Sequence, residues 1–166
     1  MKLCQEFAWF NRHSIGGNII AYLVKNQKYK LNEFSDYFDT IHNYISFEDN
    51  IVRKGAISAR ADETVLIPMN MRDGCIIGKG KGNEDWNYSA PHGAGRIMSR
   101  ASARNNINLE EFKETMKDIY TSTANESTID EAPMAYKPAQ EIIDNISDTV
   151  EIIKIIKPIY NFKAAE

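Results

Sequence analysis

Cysteine is nearly absent from this 166-residue chain, with Cys4 and Cys75 the only two. Two thiols are too few for a disulfide scaffold, and they form no metal or redox spacing. A reducing compartment is therefore the simple reading. Histidine is also scarce, occurring at His13, His42 and His92, which leaves little from which to build a metal site. No apolar run reaches the ~20 residues that a membrane span needs. The opening MKLCQEFAWFNRH is broken by Glu6, Asn11 and Arg12, so no signal peptide is expected. An excess of cations is missing as well: 20 Lys and Arg face 23 Asp and Glu, for a net charge of -3. That excludes a generally basic surface and leaves a local groove as the electrostatic route to a nucleic acid. Repeats and low-complexity linkers are absent. The expectation is one cytoplasmic domain, residues 1–166, with no membrane partner.

The apolar share of 43% and charged share of 26% are those of an ordinary globular protein with a real core. Leu3, Phe7, Phe10, Ile15, Ile19, Ile20 and Leu23 recur near helical spacing, so residues 3–24 are predicted helical, with Gly16-Gly17 as a close-packing point. A second helix is predicted over 31–41. Short β-like pieces follow at 50–52, 64–67 and 75–77, separated by turn residues. Further helices are predicted from just after His92 to Ala103, over 109–120 with Asn108 as N-cap, and over 138–156 on an isoleucine stripe closed by Pro158. The predicted class is α+β, a mixed β-sheet flanked by helices.

Residues 78–95 carry five of the nine glycines and mark a loop region where function tends to sit. Within it, Trp86-Asn87-Tyr88-Ser89-Ala90-Pro91-His92-Gly93-Ala94-Gly95-Arg96 sets a histidine between a proline and a glycine. The residue types allow two readings. His92 is either a turn residue beside packing glycines, or a nucleophile whose imidazole attacks a phosphate and forms a phosphoramidate. In the second reading the start of the next helix and Arg96 would hold phosphate oxygens. His42 is either a satisfied helix-end histidine or a metal ligand with Asn43 beside it; alone it cannot make a site. Arg53 and Lys54 follow a short strand, and Arg96, Arg100 and Arg104 recur every four residues on a predicted helical face. That arginine set suits either solvent or a phosphate backbone. Trp86 and Tyr88 are either core-packing loop aromatics or a base-stacking pair.

Five ordered blocks then resemble one family. "HGAGRIMSR" after "GKGN", the earlier "RKGAISA", the "HN" of residues 42–43, "DEAPMAYK" and the closing "IIKPIYNFK" together resemble the RtcB family of RNA ligases. The likeness runs from FAWFNR to Lys163 and matches only the C-terminal part of family members. It implies the joining of RNA 2′,3′-cyclic phosphate or 3′-phosphate ends to 5′-hydroxyl ends, with GTP and Mn²⁺, on tRNA halves or cleaved RNA. By the resemblance His92 carries GMP, Arg96 contacts phosphate, His42 ligates Mn²⁺ and Asn43 accompanies it. Tyr136 and Lys163 match guanine-pocket positions, and Asn70 stands where members carry a pocket serine. "IPMNMRDG" and Val52, where a histidine often precedes "RKGA", depart from the pattern. The resemblance also implies that the other metal ligands lie in a missing N-terminal half, with Met1 at an internal position of the family. The expectation is a chain that needs that half, or associates with itself. The alternatives are a non-catalytic remnant holding RNA or nucleotide through Arg53, Lys54, Arg96 and Arg100, or a subunit complementing a separate N-terminal half.

Overall fold

The computed structural model describes residues 1–27, 29–34 and 38–163. Its first element, α1 (Lys2–Asn26), is the predicted helix, but none of its residues is buried. Leu3, Phe7, Phe10, Ile15 and Ile19 are all more than half exposed. A side chain at Gly17 would meet nothing within 4 Å, so Gly17 itself is not a close-packing point. Two polar clamps tie the helix down. The Gln5 side chain donates to the Ile45 carbonyl (3.2 Å) and accepts from the Ile45 N–H (2.9 Å). Arg12 forks onto the Asp39 carboxylate at 2.6–3.1 Å.

The helix expected over 31–41 reduces to a 3-10 turn at Leu31–Glu33, and residues 38–42 are not helical. Residues 35–37 lie outside the described residues. Leu31 and Phe38 stay exposed, and so short a helix is marginal without apolar burial.

Strands follow as β1 (Tyr44–Ser46), β2 (Ile51–Arg53), β3 (Ala56–Ser58), β4 (Thr64–Pro68), β5 (Cys75–Gly80) and β6 (Ser89–Pro91). The three sequence-predicted strands fall within β2, β4 and β5 to within a residue or so. Then come α2 (Arg100–Asn106), α3 (Leu109–Thr115), β7 (Tyr120–Thr121), 3-10 segments at Glu126–Glu131 and Pro133–Ala135, α4 (Ala139–Asn145), β8 (Val150–Ile156) and β9 (Tyr160–Asn161). The α+β class holds. Among the described residues the strands form small sheets: β1–β2, β3–β6 and β4–β5–β8 are antiparallel, and β7–β9 is parallel.

The predicted helix over 138–156 is corrected most sharply. It ends at Asn145, and Val150–Ile156 is a strand on the edge of β5. The chain turns where the N–H groups of Thr149 and Val150 both reach the Ile146 carbonyl (3.0 and 2.8 Å). An isoleucine run fits a helical stripe and a strand equally well, and the unpaired edge of β5 decides for the strand.

The principal core lies between this sheet and α4, built from Ile57, Val65, Ile67, Ile76, Ile142, Ile146 and Val150 among others. A second cluster of Met71, Phe112, Met116, Ile129 and Ala132 packs α3 against the 126–132 segment. The Asn108 cap of α3 is as predicted: its side chain accepts from the N–H groups of Glu110 and Glu111.

Candidate active site

The residues after His92 are not helical, and α2 begins only at Arg100. Gly95 has φ +71°, outside helical geometry. The backbone of 95–98 instead pairs with 135–137: Lys137 N–H donates to the Gly95 carbonyl (3.1 Å), and Ile97 and Met98 N–H both reach the Ala135 carbonyl (2.9 and 3.3 Å). The predicted helix N-terminus beside His92 therefore does not exist. Arg96 also leaves the helical face shared by Arg100 and Arg104.

His92 is held on three sides. Its N–H donates to the Gly55 carbonyl at 3.4 Å. Its ring lies against Gly55, where a Cβ would sit 3.6 Å from Cδ2, and it stacks on the His42 ring with centroids 4.7 Å apart. Gly55 has φ +67°, and its N–H donates to the Asn43 side chain at 2.7 Å. Asn43 thus orients the loop that backs His92 rather than the His42 ring. Gly93 next door passes so close to strand β4 that a Cβ would stand 2.8 Å from the Pro68 carbonyl. Burial, and then the neighbouring His42, push the His92 pKa below the ordinary imidazole value. The shift favours the uncharged ring, which is the nucleophilic form.

His92 opens onto a cavity of about 640 Å³ that Asn70, Arg96, Tyr136 and Lys163 also line. Five of the seven site residues predicted from the sequence thus share one cavity wall, and His42 and Asn43 stand at its His92 edge. The Asn70 side chain is occupied in its own turn. It donates to Asp73 (2.8 Å) and accepts from the N–H groups of Arg72 and Asp73 (3.0 and 2.9 Å).

Arg96 is likewise engaged. It donates to the carbonyls of Met98 (3.0 Å) and Asp130 (2.6 Å), to Glu131 (3.3 Å) and to the Tyr136 hydroxyl (3.1 Å), with its cation 4.9 Å over the Tyr136 ring. Arg53 is 2% exposed and bonds Ser89, Tyr44 and the carbonyls of Asn87 and Tyr88, so it braces β2 and does not face a ligand. Trp86 is exposed, and Tyr88 donates to Glu84 at 2.7 Å.

Sequence reading missed Glu131. It lines the cavity and accepts from Tyr136 OH at 2.7 Å, and it pairs with Lys163 (3.2 Å), Arg96 (3.3 Å) and Arg100 (3.6 Å). Burial raises its pKa, but the bonds from Tyr136 and Lys163 and the charges of Lys163 and Arg96 outweigh that and lower it. Burial, then the bond to Glu131, push the Tyr136 phenol up to about 12. The signal was present in the "DEAPMAYK" block, where the acid precedes the tyrosine by five residues. No spacing rule links that acid to a lysine at 163.

Among the described residues no three His, Cys, Asp or Glu side chains converge as a metal site. No described helix is long and apolar enough to cross a membrane.

The family model described as tRNA-splicing ligase RtcB matches residues 1–164. The RNA-splicing ligase RtcB of Escherichia coli (strain K12) is 32% identical, over 93% of this chain and 40% of the relative. The tRNA-splicing ligases RtcB of Archaeoglobus fulgidus and Aeropyrum pernix are 28% and 30% identical, over 87% and 86% of this chain and 36% of each relative. The chain spans about two fifths of the length of these curated relatives.

Proposed function

The chain belongs to the RtcB family, and on that premise we propose that it is the nucleophile-bearing portion of a GTP- and Mn²⁺-dependent RNA ligase. The observation that carries this reading is the convergence of His92, Tyr136 and Lys163 on one cavity. The cavity is of the size that holds a small organic ligand.

In the proposed reaction an imidazole nitrogen of His92 attacks the α-phosphorus of GTP. The N–P bond forms, the bond to the β-phosphate oxygen breaks and pyrophosphate leaves. An RNA 3′-phosphate, formed where needed by hydrolysis of a 2′,3′-cyclic phosphate, then takes the GMP from His92. The 5′-hydroxyl of the second RNA end attacks the activated phosphate, and GMP departs. A good leaving group has replaced a poor one at the RNA end.

Tyr136 and Lys163 are assigned to the base end of the cavity. Arg96 is assigned to the phosphate, and its bonds to Met98, Asp130, Glu131 and Tyr136 hold the guanidinium at the cavity and fix Tyr136 beside it. Asn70 holds the turn that lines the same cavity.

The described residues of this chain do not fit a Mn²⁺ centre of their own. His42 is assigned as one ligand of a centre completed by the part of the relatives that this chain does not span. The exposed apolar side of α1 favours the same arrangement, with that part covering Leu3, Phe7 and Phe10. RNA ends, such as tRNA halves or cleaved RNA, are the proposed substrates, and the cytoplasm the proposed compartment.

The test is protein-bound label from α-labelled GTP and Mn²⁺, with the chain alone and with the remaining part of an RtcB relative added. Acid-labile label that needs His92 supports the reading. Equal label in His92→Ala would sink it.

A further inference from the structure

We propose that Glu131 is a positioning residue that sets the base selectivity of the nucleotide cavity, by fixing the Lys163 ammonium as a donor toward a ring carbonyl. The proposal rests on the nucleotide reading of this cavity, and it assigns a role to a residue that the reading leaves without one.

Glu131 ends the 3-10 segment Glu126–Glu131, which an Asn125 capping box starts, so its backbone is fixed by a short, fully capped element. Its carboxylate reaches three other segments of the chain. One oxygen accepts from Tyr136 OH (2.7 Å) and lies 3.2 Å from Lys163 Nζ. The other lies 3.3 Å from Arg96 and 3.6 Å from Arg100. Four donors surround two oxygens, so the carboxylate already has its partners and acts through them, not by touching a base itself. Tyr136 is fixed from both sides: its hydroxyl donates to Glu131 and accepts from Arg96 (3.1 Å).

Lys163 lines the cavity and is a member of this network that the nucleotide reading assigns to the base. It lies near the end of the described chain, and its backbone N–H is held by the Thr123 hydroxyl at 3.1 Å. Its ammonium has three N–H donors, and Glu131 engages one. The ammonium has no acceptor, so it rewards a ring carbonyl and opposes an exocyclic amino group. A 6-oxopurine is therefore bound and a 6-aminopurine disfavoured. A flexible four-carbon stem gives such discrimination only when its end is held, and Glu131 is what holds it. Without the carboxylate the ammonium swings to solvent and the two purines are met alike.

The experiment measures binding of a fluorescent GTP analogue to the 166-residue chain, with unlabelled GTP and ATP as competitors. The variants are Glu131→Gln, Lys163→Met and the double substitution, each with its melting temperature. The expected result is a preference for GTP in the wild type. Glu131→Gln should lower GTP affinity about tenfold, as for loss of one hydrogen bond to a charged group, and bring the GTP-to-ATP ratio near one. Lys163→Met should do the same, and the double variant should be no worse than Lys163→Met alone. If Glu131→Gln does not fold, Glu131→Asp keeps the charge with a shorter reach and should show a smaller loss of the same ratio.

Lost selectivity in Lys163→Met with full selectivity in Glu131→Gln would overturn the role of Glu131 and leave the nucleotide cavity standing. Equal loss of GTP and ATP affinity, or additive effects in the double variant, would overturn it as well. No binding of either nucleotide by the wild type, alone or with the remaining part of an RtcB relative added, would sink the cavity reading, and this inference with it.

Discussion

The rings of His42 and His92 stack at 4.7 Å with 25° between their planes, although fifty residues separate them in the chain. The contact is made through the Asn43–Gly55 bond, which ties the two loops together behind the imidazole. His92→Ala should remove GTP-derived label completely. Asn43→Ala should reduce it while leaving the fold intact, because the Gly55 loop loses its anchor. Labelling beside far-UV circular dichroism checks both outcomes.

Glu131 makes stability sensitive to acid. Its folded pKa lies below the ordinary carboxylate value, so its contribution is fully present above that value and is lost as pH falls through the folded one. The wild-type melting temperature should therefore fall on acidification below about pH 4.5. Glu131→Gln should start lower at neutral pH and lose less over the same window. Thermal melts at a series of pH values read this directly, and parallel curves for the two proteins would contradict it.

Gly93→Ala places a methyl group 2.8 Å from the Pro68 carbonyl. The obstacle is backbone, so β4 or the His92 loop must shift. Overpacking of this kind costs about 1–3 kcal/mol. The melting temperature should drop by several degrees, and the labelling of His92 should fall more than stability alone explains.

Ile76 is fully buried on β5, the central strand of the three-stranded sheet. Ile76→Ala should cost about 2–5 kcal/mol in chemical denaturation, the range for a buried aliphatic cut to alanine. A loss below 1 kcal/mol would mean that the sheet does not carry the core.

Phe7 and Phe10 are 72% and 63% exposed on a helix that buries nothing. Replacing both with glutamate should make the isolated chain less prone to associate, as seen by light scattering. The same change should weaken recovery of labelling by the remaining part of an RtcB relative. Unchanged recovery would mean that this face is not where that part sits.

Much of the fold was legible where the cause is local. The cap at Asn108, the short strands between turn residues and the helical spacing of 3–24 each depend on neighbours within a few positions. The site was legible for a different reason. Its residues stand in ordered blocks that resemble a family, and five of the seven meet at one cavity. The resemblance implies partners for a ligand but none for one another, so it does not reveal Glu131, which joins Arg96, Tyr136 and Lys163.

What needed the folded molecule has one physical source, which is competition for the same backbone or side-chain groups by distant segments. Residues 150–156 can coil or extend, and the unpaired edge of β5 claims their N–H and C=O groups. Residues 95–98 could have opened a helix, but the 135–137 segment takes their hydrogen bonds. Arg53 and Arg96 read as cations for a phosphate, and tertiary contacts also give their guanidinium groups internal acceptors. Composition and local spacing specify which groups are present and which turns they favour. Which groups remain for a ligand depends on which ones the rest of the chain has already bound.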